Sequence, residues 1–211
     1  FMFGYVFKSK QQYFAIFVFI GITLWDFFNK CLIQSVKLIK ANKPIVSKVY
    51  IPKFILILVK MGVNGFKMFI SLLIIVAMLA VWRVPITYNV IYIIPILMTL
   101  IVLVFGFSCF LLHYGVFVED LSNVLNIALR FLFYLTGIFW NIMDRLPAPY
   151  NSYIGRCNPI AFLLTSARDC VIYGSTPHRK LLLLWFVIGL IISALGVRKI
   201  YKNENSYVKV I

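Results

Sequence analysis

Side chains able to do covalent chemistry are few in this chain. Only six residues are acidic. Asp26 and Lys30 stand four apart inside an apolar run, so on a helix they share a face and pair. Asp144 and Asp169 have no partner carboxylate at a spacing that serves glycosyl chemistry. His113 and His178 are isolated. Cys31, Cys109, Cys157 and Cys170 form neither a CxxC pair nor a Cys/His metal pattern. Cys157 and Cys170 are candidates for a bridge if their segment faces an oxidising compartment. No GxxxxGK[ST] occurs; Gly62–Lys67 reads GVNGFK. A nucleophile elbow and an HExxH pair are also missing. The expected inventory is therefore no catalytic residue, no metal and no cofactor held by this chain.

What the chain has in quantity is lysine beside long apolar blocks. The stretch Ser35–Lys53, SVKLIKANKPIVSKVYIPK, is a basic island between two such blocks. Apolar residues make up 63% of the chain and charged residues 13%, against roughly half and a quarter in a globular domain. Several apolar runs reach the ~20 residues that cross a bilayer core of ~30 Å. In lipid the backbone must satisfy its own hydrogen bonds, so these runs predict helices. The fold class is an all-α polytopic membrane protein. Spans are expected at about 1–7 (the end of a helix whose start is missing), 13–34, 54–82, 88–114, 124–142 and 181–198. Residues 143–180 hold an apolar stretch too short to span. They predict an interfacial or re-entrant segment, with Asn158-Pro159 opening its helix. All of 1–211 reads as one transmembrane domain.

The net charge of +15 follows from basic residues flanking spans, as in cytoplasmic loops facing an anionic leaflet. No nucleic-acid motif accompanies it. The island and the basic tail Arg198, Lys199, Lys202 and Lys209 are separated by four spans. They belong on one side, the cytoplasm, with 143–180 outside. A short basic helix at Val36–Val49 between two spans is placed to dock a partner.

Three patches resemble the permease subunit of ABC-2 type exporters, most closely the branch that exports teichoic acid, O-antigen and capsule-type polysaccharide. The first is Trp25-Asp26-Phe27-Phe28 with Ala41-Asn42-Lys43-Pro44-Ile45-Val46-Ser47-Lys48-Val49-Tyr50-Ile51-Pro52-Lys53, which is similar to the family's WxFF and NxxLIxKVYFPK. The second is Val118-Glu119-Asp120-Leu121 leading into Leu132–Trp140. The third is Asn158-Pro159-Ile160-Ala161-Phe162 with Ala167-Arg168-Asp169, similar to NPLA…yRD. Glu119 stands where the family often has Arg. Thr136-Gly137-Ile138 stands where it often has Ser-Pro-Ile, so this helix should bend differently.

The resemblance implies a type V exporter-like permease with six spans per subunit, its N-terminal part missing here. It implies a second copy of the chain, two copies of a separate ATP-binding subunit carrying ATP and Mg, and a multi-pass place in the cytoplasmic (inner) membrane of a bacterium or archaeon. The substrate implied is a polyprenyl-diphosphate-linked polysaccharide or teichoic acid, moved amid membrane lipid. Coupling to the ATPase falls to Lys37, Lys40, Asn42, Lys43, Lys48 and Tyr50. Trp25, Phe28, Tyr134, Phe139, Trp140 and Tyr153 are candidates for the substrate path. Arg145, Arg156 and Arg168 are candidate phosphate contacts, since arginine forks onto phosphate. The alternatives are an ABC-2 exporter of a drug, lipid or peptide, a membrane-embedded enzyme acting on polyprenyl lipids, and an ion-coupled carrier using Asp26.

Overall fold

The computed structural model describes residues 13–46, 51–140 and 155–210. Those residues form helices and contain no strand, so the chain is an all-α polytopic membrane protein. Four helices among them are long and apolar enough to cross a membrane: Phe14–Val36, Lys53–Val81, Tyr88–Phe117 and Arg179–Glu204.

Helix α1, Phe14–Val36, is the central one. Ile16, Phe17, Ile20, Leu24, Phe27 and Cys31 are buried along it. It packs against α4, Lys53–Val81, and α5, Ile93–Phe117. A 3-10 turn, Tyr88–Tyr92, leads into α5. The seam between α1 and α4 is pinned by a buried amide: Asn64 Nδ2 donates to Gln34 Oε1 at 3.0 Å. Beside it Lys30 and Asp26 pair at 2.6 Å, both about half exposed, which is the one-turn pairing their spacing predicts.

Between α1 and α4 the basic island does not form the single helix expected over Val36–Val49. It folds as two separate turns, α2 at Leu38–Ala41 and α3 at Lys43–Val46. Residues 47–50 lie outside the described residues. The break has a local cause. Asn42 turns its side chain back, with Nδ2 donating to Leu38 O at 2.7 Å, and Pro44 brings no N–H to continue the ladder.

The tightest helix pair is α5 with α8, Arg179–Val210. Small residues allow it, as in membrane helix pairs generally. A Cβ on Gly196 would stand 2.6 Å from Cys109 Cβ, and one on Gly106 would stand 2.9 Å from Ser193 N. Ser193 Oγ donates to Val102 O at 2.9 Å across the same seam. Gly196→Val is therefore expected to force α5 and α8 apart and to destabilise by about 1–3 kcal/mol. The thermal midpoint of detergent-solubilised protein checks it, with Gly62→Val as control, since nothing lies within 4 Å of a Cβ there.

Helix α8 is longer than the span expected at 181–198. Its 32 residues rise ~48 Å, well beyond a ~30 Å core. The extra turns return to the island end. Lys53 Nζ lies 3.3 Å from Glu204 Oε1 with both side chains buried, His113 Nδ1 and Tyr207 Oη lie 2.8 Å apart, and Phe54 packs on Tyr201. Island and tail thus share one end of the molecule.

A span was expected over 124–142. Helix α6 instead runs Leu121–Leu135, 15 residues, or ~22 Å. Gly137 then takes φ +67°, a left-handed conformation that stops a helix and suits glycine. At the end away from the island lies α7, Pro159–Val171. Asn158 caps it, its Oδ1 accepting from Ile160 N and Ala161 N at 3.0 and 3.3 Å, and Pro159 occupies the first turn. Nearly all of α7 is buried against α1, α5 and the 3-10 turn. Behind it Gly174, at φ +64°, takes a hydrogen bond on its carbonyl from Asn89 Nδ2.

Candidate substrate groove and coupling segment

Helices α1 and α6 meet through aromatic rings. Trp25, buried on α1, lies 5.5 Å from the Phe133 ring in an edge-on contact. Phe133 in turn meets Tyr134 and Phe139 at 5.6 Å each. The rings of Trp25, Phe133 and Tyr134 form one wall of an open groove of about 570 Å³, whose other lining residues include Asn29, Asn126 and Arg130. The combination is unusual for a membrane helix pair: flat aromatic faces, two amides and one guanidinium. Ring faces suit the C–H faces of sugars, and the polar groups suit hydroxyl or phosphate oxygens.

The structure sorts the candidate path residues. Trp25 and Tyr134 share the groove. Phe28 is buried and faces a second, mainly apolar cavity of about 510 Å³ on the other side of the same seam, with Phe107, Leu132 and Ile160. Phe139 does not line the groove but packs on Phe133, which does. Trp140 is half-buried just after the helix stop. Tyr153 and Arg145 lie outside the described residues. The spacing argument missed Asn29, Asn126 and Arg130. The signal for them was a helical stripe, since Asn126, Arg130 and Tyr134 recur every four residues on α6.

Among the candidate phosphate contacts, Arg156 is exposed. Arg168 requires a correction. It is buried, and its guanidinium is spent on the backbone. Nε donates to Phe17 O at 3.1 Å, Nη1 to Gly137 O at 2.9 Å and Nη2 to Ile138 O at 2.7 Å. Its Cζ lies 3.6 Å from the centre of the Phe17 ring. The cause is the chain stop at Gly137, which leaves carbonyls without helical partners. Arg168 supplies the missing donors and ties three segments together. Beside it, burial pushes the Asp169 carboxyl up to about 6, against the opposing pull of Arg168 and His178. Cys157 and Cys170 are not bridged; the first is exposed and the second buried, and both are free.

At the island end Leu38 and Ile39 are buried, packed towards α4 and α5. Lys37, Lys40 and Lys43 are exposed on the other side. Asn42 is half-buried and closes the turn rather than pointing outward. Lys48 and Tyr50 lie outside the described residues. The apolar side of the segment is seated directly on the spans: a Cβ on Gly115 of α5 would run into the backbone of Val36. The end of α1, from which α2 continues, is thus in direct contact with α5.

No protein-family model matches the chain. Two curated proteins of Klebsiella pneumoniae, each described as "O-antigen export system permease protein RfbA", align with it at 23% and 22% identity over 212 positions, covering 100% of this chain and 81% of each relative. The similarity to these two O-antigen export permeases runs along the whole length of the chain. With four helices long and apolar enough to cross a membrane, the chain is a multi-pass integral membrane protein.

Proposed function

We propose that this chain is the membrane-spanning permease subunit of an ATP-driven ABC-2 exporter that moves a polyprenyl-diphosphate-linked polysaccharide across the cytoplasmic membrane. The observation that carries the reading is the similarity along the full chain to two O-antigen export permeases. The aromatic and polar groove supports it, because a glycan needs ring faces and hydrogen-bonding groups inside the bilayer.

In this reading a separate ATP-binding subunit, in two copies, holds ATP and Mg. Two copies of the permease form the path. The ATPase docks on the exposed face of the island, where Lys37, Lys40 and Lys43 stand, with Lys48 and Tyr50 following in sequence. Closure of the ATPases on ATP moves α2. Leu38, Ile39 and the Gly115–Val36 contact pass that motion into α1 and α5. Trp25 and Tyr134 contact the sugar chain as it passes, and Arg156 is a phosphate contact at the far end.

The test is reconstitution of the chain with an O-antigen-exporter ATPase in proteoliposomes loaded with polyprenyl-diphosphate-linked oligosaccharide. ATP-dependent appearance of sugar on the far leaflet is expected. Sugar movement without the ATPase, or ATP-driven movement of a drug but not of the glycolipid, overturns the reading.

A further inference from the structure

Arg130 lies outside the buried core of the described residues. It is exposed, and among the described residues it has no ion-pair or hydrogen-bond partner. It nevertheless stands well along α6 from the island end. Helix α6 begins at Leu121, after the exposed Glu119 and Asp120, at the end where Gly115 meets Val36. Nine residues of rise place Arg130 ~14 Å along the axis, close to half of a ~30 Å core. A charge at that depth costs roughly 2.5–3.5 kcal/mol on insertion scales, so charged residues there face polar paths rather than lipid.

Its surroundings are selective. Within the groove Arg130 is joined by the amides of Asn29 and Asn126 and by the rings of Trp25, Phe133 and Tyr134. The cavity on the opposite side of the seam has no charged lining residue. One side of α6 is thus built to accept an anion beside a flat polar ring.

We infer that Arg130 receives the phosphate of a sugar-bearing lipid headgroup, with the adjoining sugar against the Trp25–Phe133–Tyr134 wall. The inference rests on the exporter reading and assigns the anion contact within it. Arginine suits the task because its planar fork meets two phosphate oxygens at once, which lysine cannot copy. In a polyprenyl-diphosphate-linked glycan whose repeats are uncharged, the contact marks the lipid-proximal end, where the diphosphate sits.

The experiment uses the full chain with its ATPase in nanodiscs, titrated with polyprenyl-diphosphate-linked oligosaccharide while ATP turnover is followed. Arg130→Gln is expected to raise the half-stimulating concentration about tenfold or more, the loss expected for charge-assisted hydrogen bonds, and Arg130→Lys to raise it less. Retained ATPase co-purification shows that the variants are assembled. An unchanged titration in Arg130→Gln, with the wild type still stimulated, overturns the inference and leaves the exporter reading standing. A wild type that the glycolipid does not stimulate removes both. Repeating the titration in phosphatidylcholine discs with and without phosphatidylglycerol separates the phosphate sources. If phosphatidylglycerol stabilises the wild type but not Arg130→Gln, while their glycolipid curves coincide, the arginine holds a membrane phospholipid and the inference is overturned.

Discussion

Arg168→Ala is expected to abolish the folded protein rather than to weaken transport alone. The guanidinium donates to carbonyls of α1 and of the Gly137–Ile138 stop while itself sitting on α7, so three segments lose their common donor at once. Each buried acceptor left without a partner costs about 1–3 kcal/mol. For the Gly137 and Ile138 carbonyls, which lie past the helix stop, the total is about 2–6 kcal/mol, a large fraction of the 5–15 kcal/mol that holds a typical domain. Arg168→Lys is expected to rescue little, because one ammonium cannot reach three carbonyls arranged around a planar fork. The stacking over Phe17 at 3.6 Å adds to the loss. Monodisperse yield and thermal midpoint in detergent read the effect. Arg156→Ala, at an exposed site, should match the wild type. A well-folded Arg168→Ala that has lost only export would return Arg168 to the role of a phosphate contact.

Much of this architecture was legible in the chain, and the illegible parts share a physical cause. Long apolar runs fix helices because the bilayer leaves no other backbone partner; α1, α4 and α5 follow from that alone. The pairing of Asp26 with Lys30 and the cap at Asn158 are local rules, readable within four residues. Arg168 is different. Its role depends on Gly137, 31 residues earlier, and on Phe17, 151 residues earlier, so nothing near it in sequence separates an inward tether from an outward phosphate contact. The groove has the same character. Trp25 and Tyr134 were recognisable as candidates, but that Asn29 and Arg130 stand with them depends on how α1 lies against α6. Helix α8 also outran its expected end. The polar residues after Val197 read as a tail, yet burial of Tyr207 and of the Lys53–Glu204 pair keeps them helical and docked at the island.

The island carries the second large effect. Lys37, Lys40 and Lys43 are exposed while Leu38, Ile39 and Val46 are buried, so the segment has a basic outer face and an apolar seated face. Changing the three lysines together to glutamate should leave the seated face intact and turn a basic docking face acidic. Like charges facing each other across an interface cost several kcal/mol, so ATPase affinity is expected to fall about a hundredfold or more. Membrane orientation should survive, because Arg198, Lys199, Lys202 and Lys209 keep their bias at the same end and acidic residues count little in that rule. The opposite change separates grip from transmission. Leu38→Ala and Ile39→Ala remove buried anchors and keep every lysine, so the ATPase should still co-purify while glycolipid export per ATP falls. Co-purification, its salt dependence and coupled turnover tell the two apart: the wild-type complex should weaken with salt, while the glutamate variant should bind worst at low salt, where its repulsion is least screened. If the glutamate variant binds its ATPase and exports normally, the lysines are ordinary leaflet-facing charge. Loss of binding in the leucine and isoleucine variants instead would place the docking face on the apolar side, where α2 meets α4 and α5.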